Sequence, residues 1–300
     1  MNIKNLLLAT TAILLAACST DSESPAPQAP EQIRVTASVG AMTRTVTDGV
    51  TTTFEPGDRI SVYAWTGSAD AVPSALVVDN SINTLGSDGA WTADPQMLWT
   101  DMSSAHYFLG IYPERDVTNF TTDGYTLDVA DQEASDLLVA VQTGTDGEGL
   151  KASGNPVPLT FEHVMAKLIV NLNFRDQWGG TPEVTAVKAV SVAASATVDY
   201  LSKTLTGVDR LNINLPGSTP ADGYALGYAS VMIPQTGFNI ISVSIAGHNY
   251  TYTHPTDIPL VRGEYTTVNL IVGRDRIELG SVTVKDWKEG ETIGGGEAVD

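Results

Sequence analysis

Hydrophobic and polar residues alternate with a period of two along several short stretches of this chain. The first stretch runs through residues 33–39, with apolar side chains at every odd position. Similar stretches begin at Ile60, Leu168, Ile241 and Val282. Because the side chains of a strand point alternately to its two faces, this period predicts strands with one buried face and one face in water.

Turn signals separate these stretches. Asp-Gly pairs, which favour the positive φ angles of tight hairpin turns, begin at Asp48, Asp88, Asp123, Asp146 and Asp222. Helical patterns are scarce, and the best one, over residues 131–138, is equally consistent with a loop that leads into a strand. Many short strands with regular turns favour antiparallel β-sandwiches, so we predict an all-β fold.

The first residues have the pattern of an export signal. Lys4 precedes an apolar run that ends in small residues before Cys18, the single cysteine of the chain. The run of about a dozen residues is shorter than the roughly 20 that cross a bilayer. Residues 15–18 resemble the cleavage site of bacterial lipoproteins, which predicts a signal peptide at residues 1–17 and lipid on the Cys18 sulfur. An ordinary secretion signal with a chance cysteine is the alternative.

A lipidated Cys18 leaves no cysteine for a disulfide, so the fold must rely on its apolar core. Residues 18–31 are small, polar and rich in proline, which predicts a flexible tether. Within it, Asp21 and Glu23 resemble the acidic surface-export signal of Bacteroidota lipoproteins, and they are equally consistent with plain tether residues. The remaining length of about 270 residues suits two domains.

The chain is strongly acidic. Its formal net charge is −19 at pH 7, and loss of Lys4 with the signal makes it −20. A nucleic-acid binder needs clustered basic residues, so we expect no nucleic-acid partner. Apart from the leader, no apolar run is long enough to cross a membrane, and the acyl chains on Cys18 would provide the anchor.

No motif indicates catalysis or a bound cofactor. His106, His163, His248 and His254 lack the spacing of a zinc site, and no Gly-x-Ser-x-Gly elbow marks a nucleophile. Residues 144–149 imitate a phosphate loop without its Lys-Ser/Thr ending, which favours an acidic glycine turn. The five tryptophans leave a sugar-binding platform open, although most are expected to pack in or beside the cores. We expect no enzymatic activity, no metal and no cofactor.

Several segments together resemble the fimbrillin family of Bacteroidota, specifically the Mfa-like lipoproteins. The most specific are Phe-Glu-His-Val-Met-Ala-Lys-Leu at residues 161–168 and Val-Lys-Asp-Trp-Lys-Glu-Gly at 284–290. Weaker support comes from the Gly-Asp turn at residues 57–58, the Tyr-Pro pair at 112–113 and Gly-Glu-Tyr-Thr at 263–266. The resemblance covers roughly residues 31–295.

The resemblance implies two tandem transthyretin-like antiparallel β-sandwich domains, which we place at residues 32–160 and 161–300, the latter with a flexible tail. It also implies a type V pilus subunit that is exported as a lipoprotein to the outer membrane and cell surface. In that family a protease cuts after an arginine near the N-terminus and removes the first strand. A strand of a neighbouring subunit then fills the open groove. Arg44 stands where this cut would fall, and an exposed loop arginine is the alternative reading.

The residues that carry the resemblance are expected to pack rather than catalyse. They are Phe161, His163, Leu168, Val170, Tyr265 and Trp287. The rival hypothesis is a surface lipoprotein that never polymerises and binds a glycan or host ligand through exposed tryptophans. An uncut N-terminus and saturable ligand binding would separate it from a pilus subunit.

Overall fold

The computed structural model describes residues 31–40, 53–132 and 134–286, and these residues form an almost entirely β structure. Its helical segments are 3-10 turns of three residues each, at Thr145–Gly147, Ala152–Gly154 and Asp176–Trp178. The strands are β1 (Val35–Val39), β2 (Arg59–Thr66), β3 (Val78–Leu85), β4 (Trp91–Asp94), β5 (His106–Tyr112), β6 (Asp123–Thr126), β7 (Leu138–Gln142), β8 (Val157–His163), β9 (Ala166–Phe174), β10 (Val184–Ala193), β11 (Ser195–Asp199), β12 (Thr204–Gly207), β13 (Arg210–Asn214), β14 (Gly217–Ser218), β15 (Leu226–Met232), β16 (Ile240–Ile245), β17 (His248–Thr253), β18 (Glu264–Val272) and β19 (Ile277–Asp286).

The described strands form four sheets. A seven-stranded sheet has the order β1-β8-β7-β5-β2-β3-β4, and a three-stranded sheet has the order β12-β11-β6. The other two have the orders β13-β10-β16-β17 and β14-β15-β9-β18-β19. Pairing is antiparallel except between β1 and β8 and between β9 and β18, which run parallel. The all-β prediction is therefore confirmed, with two parallel pairs that the turn pattern did not predict.

The seven-stranded sheet curls so that its outer strands cover its centre. One cluster of buried side chains joins β1 and β8 to β2, β5 and β7. Gly110 of β5 lies so close beneath Phe161 of β8 that a Cβ on Gly110 would come within 2.7 Å of the ring Cζ atom. Absence of a side chain at Gly110 thus lets the two layers meet.

Central strand β2 corrects one expectation. Its alternating pattern predicted that one face lies in water. Instead, Ser61, Tyr63 and Trp65 on that face are as fully buried as Ile60 and Val62 on the other. The second face is covered because Tyr63 and Trp65 belong to the larger core, which extends into the C-terminal half of the chain. A strand with layers on both sides loses its solvent face.

The C-terminal part of the larger core lies between the four-stranded and five-stranded sheets. Its side chains come from β9 and β18 of the five-stranded sheet and from β10 and β16 of the four-stranded sheet, and include Leu168, Val170, Val243, Val268 and Leu270. Burial alternates along these strands, as in a sandwich of two packed sheets. The stretches that begin at Leu168 and Ile241 therefore match the predicted half-buried strands.

A polar cluster joins the two halves of the chain. Arg115 Nη2 donates to Asp123 Oδ2 at 3.0 Å, and the Tyr200 hydroxyl donates to the same oxygen at 2.7 Å. The Tyr63 hydroxyl donates to the Arg115 carbonyl at 2.9 Å and accepts from the amide of Val117. Burial raises the pKa of Tyr63 to about 12 and raises that of Tyr200 as well, so both remain protonated donors. Strand β6, which starts at Asp123, pairs with β11 of the other half.

The turn signals were correct in three of the four described Asp-Gly pairs. Gly89, Gly147 and Gly223 have φ angles of 80°, 80° and 85° and lie in turns. The pair at Asp123 instead begins strand β6, so that prediction was wrong.

Residues 144–149 form a tight turn, closed by a 2.6 Å hydrogen bond from the Gly149 amide to the Thr143 carbonyl. The described part of 131–138 is a turn that leads into β7, not a helix. Within the described ranges, no helix has the length and hydropathy to cross a bilayer.

Candidate functional site

Strand β1 occupies the edge of the seven-stranded sheet, where its apolar side chains fill the N-terminal core. Ile33 and Val35 are 1% and 5% exposed, and Ala37 and Val39 pack against the same cluster. Arg34, Thr36 and Ser38 face solvent. This alternation is the one predicted from the sequence. Complete burial of an Ile or Val side chain contributes about 2 kcal/mol, so a few side chains hold the strand in place.

Residues 31–40, which include β1, are called the first segment below. The backbone of the first segment is held on one side by β8. Residues Val35 to Val39 pair in register with Val157 to Phe161. At the two ends, the Val157 amide donates to the Arg34 carbonyl at 2.8 Å, and the Gly40 amide donates to the Phe161 carbonyl at 2.7 Å. Among the described residues, β1 is the last strand of this sheet, and no described strand pairs with the opposite edge of Val35–Val39.

Residues just before β1 have a second neighbour. The Ile33 amide donates to the Met97 carbonyl at 2.9 Å, and the Trp99 amide donates to the Glu31 carbonyl at 3.0 Å. Met97 and Trp99 are both 1% exposed and belong to the core under β1. Residues 31–33 therefore have backbone bonds to Met97 and Trp99, which lie on a different segment from β8.

Asn155 extends the ladder with its side chain. Its Oδ1 accepts from the Arg34 amide at 2.9 Å, and its Nδ2 donates to the Gln32 carbonyl at 2.8 Å. A carboxamide that accepts from one residue and donates two residues away imitates the backbone of a neighbouring strand. These bonds involve only main-chain atoms of the first segment, so they hold a strand irrespective of its side chains.

His106 supports the segment that contacts residues 31–33. Its Nε2 accepts from the Thr100 amide at 3.3 Å, and its Nδ1 lies 3.0 Å from the Ser104 carbonyl. A carbonyl only accepts, so the ring is neutral with its proton on Nδ1. The ring packs edge-to-face on Trp99 at 4.8 Å between centroids. Burial lowers the pKa of His106 below its ordinary 6.5.

We expect the free energy of unfolding to fall as the pH drops below 6.5 because His106 must then take up a proton. A group with a depressed folded-state pKa stabilises the fold above its unfolded pKa and loses that contribution as the pH falls. Urea unfolding at pH 7.5 and 5.0 should show a larger loss for the wild type than for His106→Gln, which does not titrate. Equal losses in the two proteins would contradict this assignment.

The sequence-predicted site residues fall in three places. Cys18, Arg44 and Trp287 lie outside the described residues. Phe161 is buried beneath β1, and Leu168 and Val170 are buried in the larger core, so their predicted packing roles are confirmed. Tyr265 is half-buried on β18.

His163 combines packing with a hydrogen-bond contact to a carboxylate. Its Nδ1 lies 2.9 Å from an oxygen of Asp136, and both side chains are nearly buried. The pair fastens the end of β8 to the turn before β7. The packing of His163 was predicted from the sequence, but this carboxylate partner was not, because it lies 27 positions away.

Asn155 and His106 were not recognised from the sequence as parts of this site. An asparagine before a proline reads as a turn residue, and its partners lie 121 and 123 positions away. His106 lacks the spacing of a metal site in the sequence, and nothing near it in the sequence indicates its contact with Trp99. In the described part of the chain, no three His, Cys, Asp or Glu side chains are grouped in a way that could hold a metal ion.

Comparison with known proteins identifies a matching family and solved structures of similar fold. A model of a family described as fimbrillin-like matches residues 43–287. A putative cell adhesion protein from Bacteroides ovatus has a similar structure, with a TM-score of 0.63, 17% identity, and coverage of 88% of this chain and 100% of that one. A second, from Bacteroides uniformis, gives a TM-score of 0.61, 20% identity, and coverage of 85% and 99%. A search of curated proteins found no match. At these identities the structural neighbours show a shared fold.

Proposed function

Because the chain belongs to the fimbrillin-like family, we propose that it is a fimbrial subunit that assembles by exchange of its first strand. In this proposal the chain reaches the outer membrane as a lipoprotein through Cys18, and cleavage after Arg44 frees residues up to that point. A strand from a neighbouring subunit then takes the place of β1 on the cell surface. The protein acts as a building block and has no enzymatic role.

The observation that supports this proposal is the way β1 is attached. It is an edge strand with apolar residues at alternate positions. Its side chains complete the N-terminal core, whose other side chains come mainly from β2, β5, β7 and β8. Its removal would expose Phe161, Leu159 and Trp99, an apolar surface that a new strand can cover. Backbone bonds supply the affinity in this mode of binding, and alternate side chains supply the register.

The primary experiment cuts the purified protein after Arg44 with an arginine-specific protease. The N-terminus is verified by mass spectrometry and the product is run on native gels. We expect ladders of assemblies from the cut protein and a monomer from Arg44→Gln treated in the same way. A cut protein that releases residues 31–40 and still stays monomeric, alone and with candidate partner subunits, would overturn the proposal.

Removal of the Asn155 carboxamide should accelerate the departure of β1. Asn155→Ala deletes two backbone-directed hydrogen bonds, each with a net value of about 1 kcal/mol, so the cut first segment should leave about 30-fold faster. The rate can be followed by mass spectrometry of the free peptide after cleavage at Arg44, with a synthetic competitor strand in excess.

Asn173 provides the matched control. Its carboxamide also donates to one backbone carbonyl, of Gly223, and accepts from one backbone amide, of Ala225, but it lies on β9. Asn173→Ala should therefore leave the release rate unchanged. An equal acceleration by both variants would mean that general destabilisation, and not the hold on β1, controls release.

A further inference from the structure

A polar cavity of about 350 Å³ opens beside the start of the first segment. Three of its lining residues, Gln32, Ile33 and Arg34, belong to that segment. The others come from β3 and β4 and the loop after them, namely Asn83, Trp91, Thr92, Ala93 and Gln96. The volume falls in the range of small-molecule sites. We propose that this cavity binds an acidic monosaccharide, such as the terminal sugar of a surface glycan, and only while the first segment is in place.

The lining supplies the chemistry that such a ring requires. Arg34 is exposed and is the charged residue of the lining, and its guanidinium group forms no salt bridge with the described residues. A guanidinium fork matches a carboxylate in a bidentate geometry. The side chains of Gln32, Gln96 and Thr92 are exposed, and their amide and hydroxyl groups both donate and accept, as sugar hydroxyls need.

Trp91 provides the apolar surface of the cavity. It is half-buried, and Phe54 fixes it from one side in an edge-to-face contact at 5.3 Å. A held indole ring offers a rigid surface to the C–H groups of a sugar at little entropic cost. Of the four described tryptophans, Trp65 and Trp99 are buried in the cores and Trp178 packs against Tyr250, so Trp91 is the one that lines this cavity.

Arg34 favours an acidic sugar over a neutral one in this cavity. The whole chain has a net charge of −19, which repels anions at long range. A neutral sugar would leave Arg34 without a counter-charge, whereas a carboxylate would pair with it. Charge-assisted hydrogen bonds contribute about twice as much as neutral ones.

The position of the cavity links sugar binding to β1. Since three lining residues lie on the segment that we propose is exchanged, its departure destroys the site. A ligand that binds only the intact form lowers the population of the open form by the factor 1 + [L]/Kd. At ten times Kd, loss of the first segment should therefore be suppressed about 11-fold. This link rests on the proposed function, whereas the sugar site itself does not.

Titration of the uncut protein with N-acetylneuraminic acid and glucuronic acid tests the site, with N-acetylglucosamine as the neutral probe. Calorimetry should show saturable binding of an acidic sugar. Arg34→Gln should weaken that binding at least 10-fold without changing the response to the neutral sugar. Trp91→Leu should weaken it as well, and circular dichroism should verify that each variant is folded.

Arg274→Gln is the matched control because Arg274 also lies beside a half-buried tryptophan, 5.2 Å from the Trp178 ring centroid. It should bind as the wild type does. Absence of saturable binding by either acidic sugar, or binding that Arg34→Gln does not alter, overturns the site. Release of the first segment after cleavage at Arg44, in the presence and absence of sugar, tests the link separately. If the sugar binds but the first segment is not released even in the absence of sugar, the proposed strand exchange is overturned and the sugar site is not.

Discussion

Val35→Asp is expected to expel β1 from its groove and to cause assembly without any protease. Val35 is 5% exposed and packs in the core that β1 and β8 share with the central strands. An ionised carboxylate without a partner is too costly to keep in such a site, and the variant can avoid that cost by releasing the edge strand. The exposed groove should then accept a strand from another copy.

Hydrogen exchange and size-exclusion chromatography measure the two parts of this result. The amides of residues 33–40 should lose protection, and oligomers should appear as the concentration rises. Thr36→Asp is the control since Thr36 is exposed on the next position of the same strand, and it should stay monomeric and protected. A monomeric Val35→Asp with protected β1 amides would contradict the expectation. Loss of all cooperative unfolding would also contradict it, because β1 would then be indispensable for the N-terminal half.

Asp123→Ala is expected to lower the free energy of unfolding by about 3 kcal/mol, since it leaves a partly buried cation without its counter-charge. Asp123 accepts from both Arg115 and Tyr200. After its removal, Gly124 is the remaining acceptor for Arg115 Nη2, and the buried Nε of that residue has no hydrogen-bond partner in the described structure. The cluster joins the two halves, so both halves should lose stability together.

Urea unfolding followed by fluorescence and circular dichroism tests this expectation. Asp209→Ala is the control because Asp209 is exposed and its carboxylate accepts a hydrogen bond from the neutral hydroxyl of Ser195. It should cost less than 1 kcal/mol. If Asp123→Ala costs no more than Asp209→Ala, the polar cluster does not hold the halves together.

Local alternation was sufficient to recognise β1 and the inner strands of the C-terminal sandwich. In each of these strands one face packs on a core and the other is more exposed. The buried residues can therefore be predicted as every second residue of the strand. The same rule failed for β2, since Tyr63 and Trp65 are covered by the other half of the chain. Which face a distant layer covers depends on packing, and a single stretch of sequence does not contain that information.

The candidate site shows the same limit. The apolar residues of β1 could be identified because strand periodicity is local. Asn155 could not be identified, since its role consists of bonds to Arg34 and Gln32 that only the parallel pairing of β1 with β8 brings near. Asp123 was misread for a related reason: the Asp-Gly pair favours a turn, but pairing of β6 with β11 holds it extended.

The parallel pairing of β1 and β8 has a further consequence for any polymer built from this chain. A replacement strand that takes up the same bonds must enter with the same N-to-C direction. The donor and the acceptor then use different surfaces, and such a head-to-tail contact generates an open series when its rotation does not close into a ring. The resulting fibre would be vectorial, with one end that exposes a vacant groove and another that exposes an unused strand, so growth and capping would be distinct events at opposite tips.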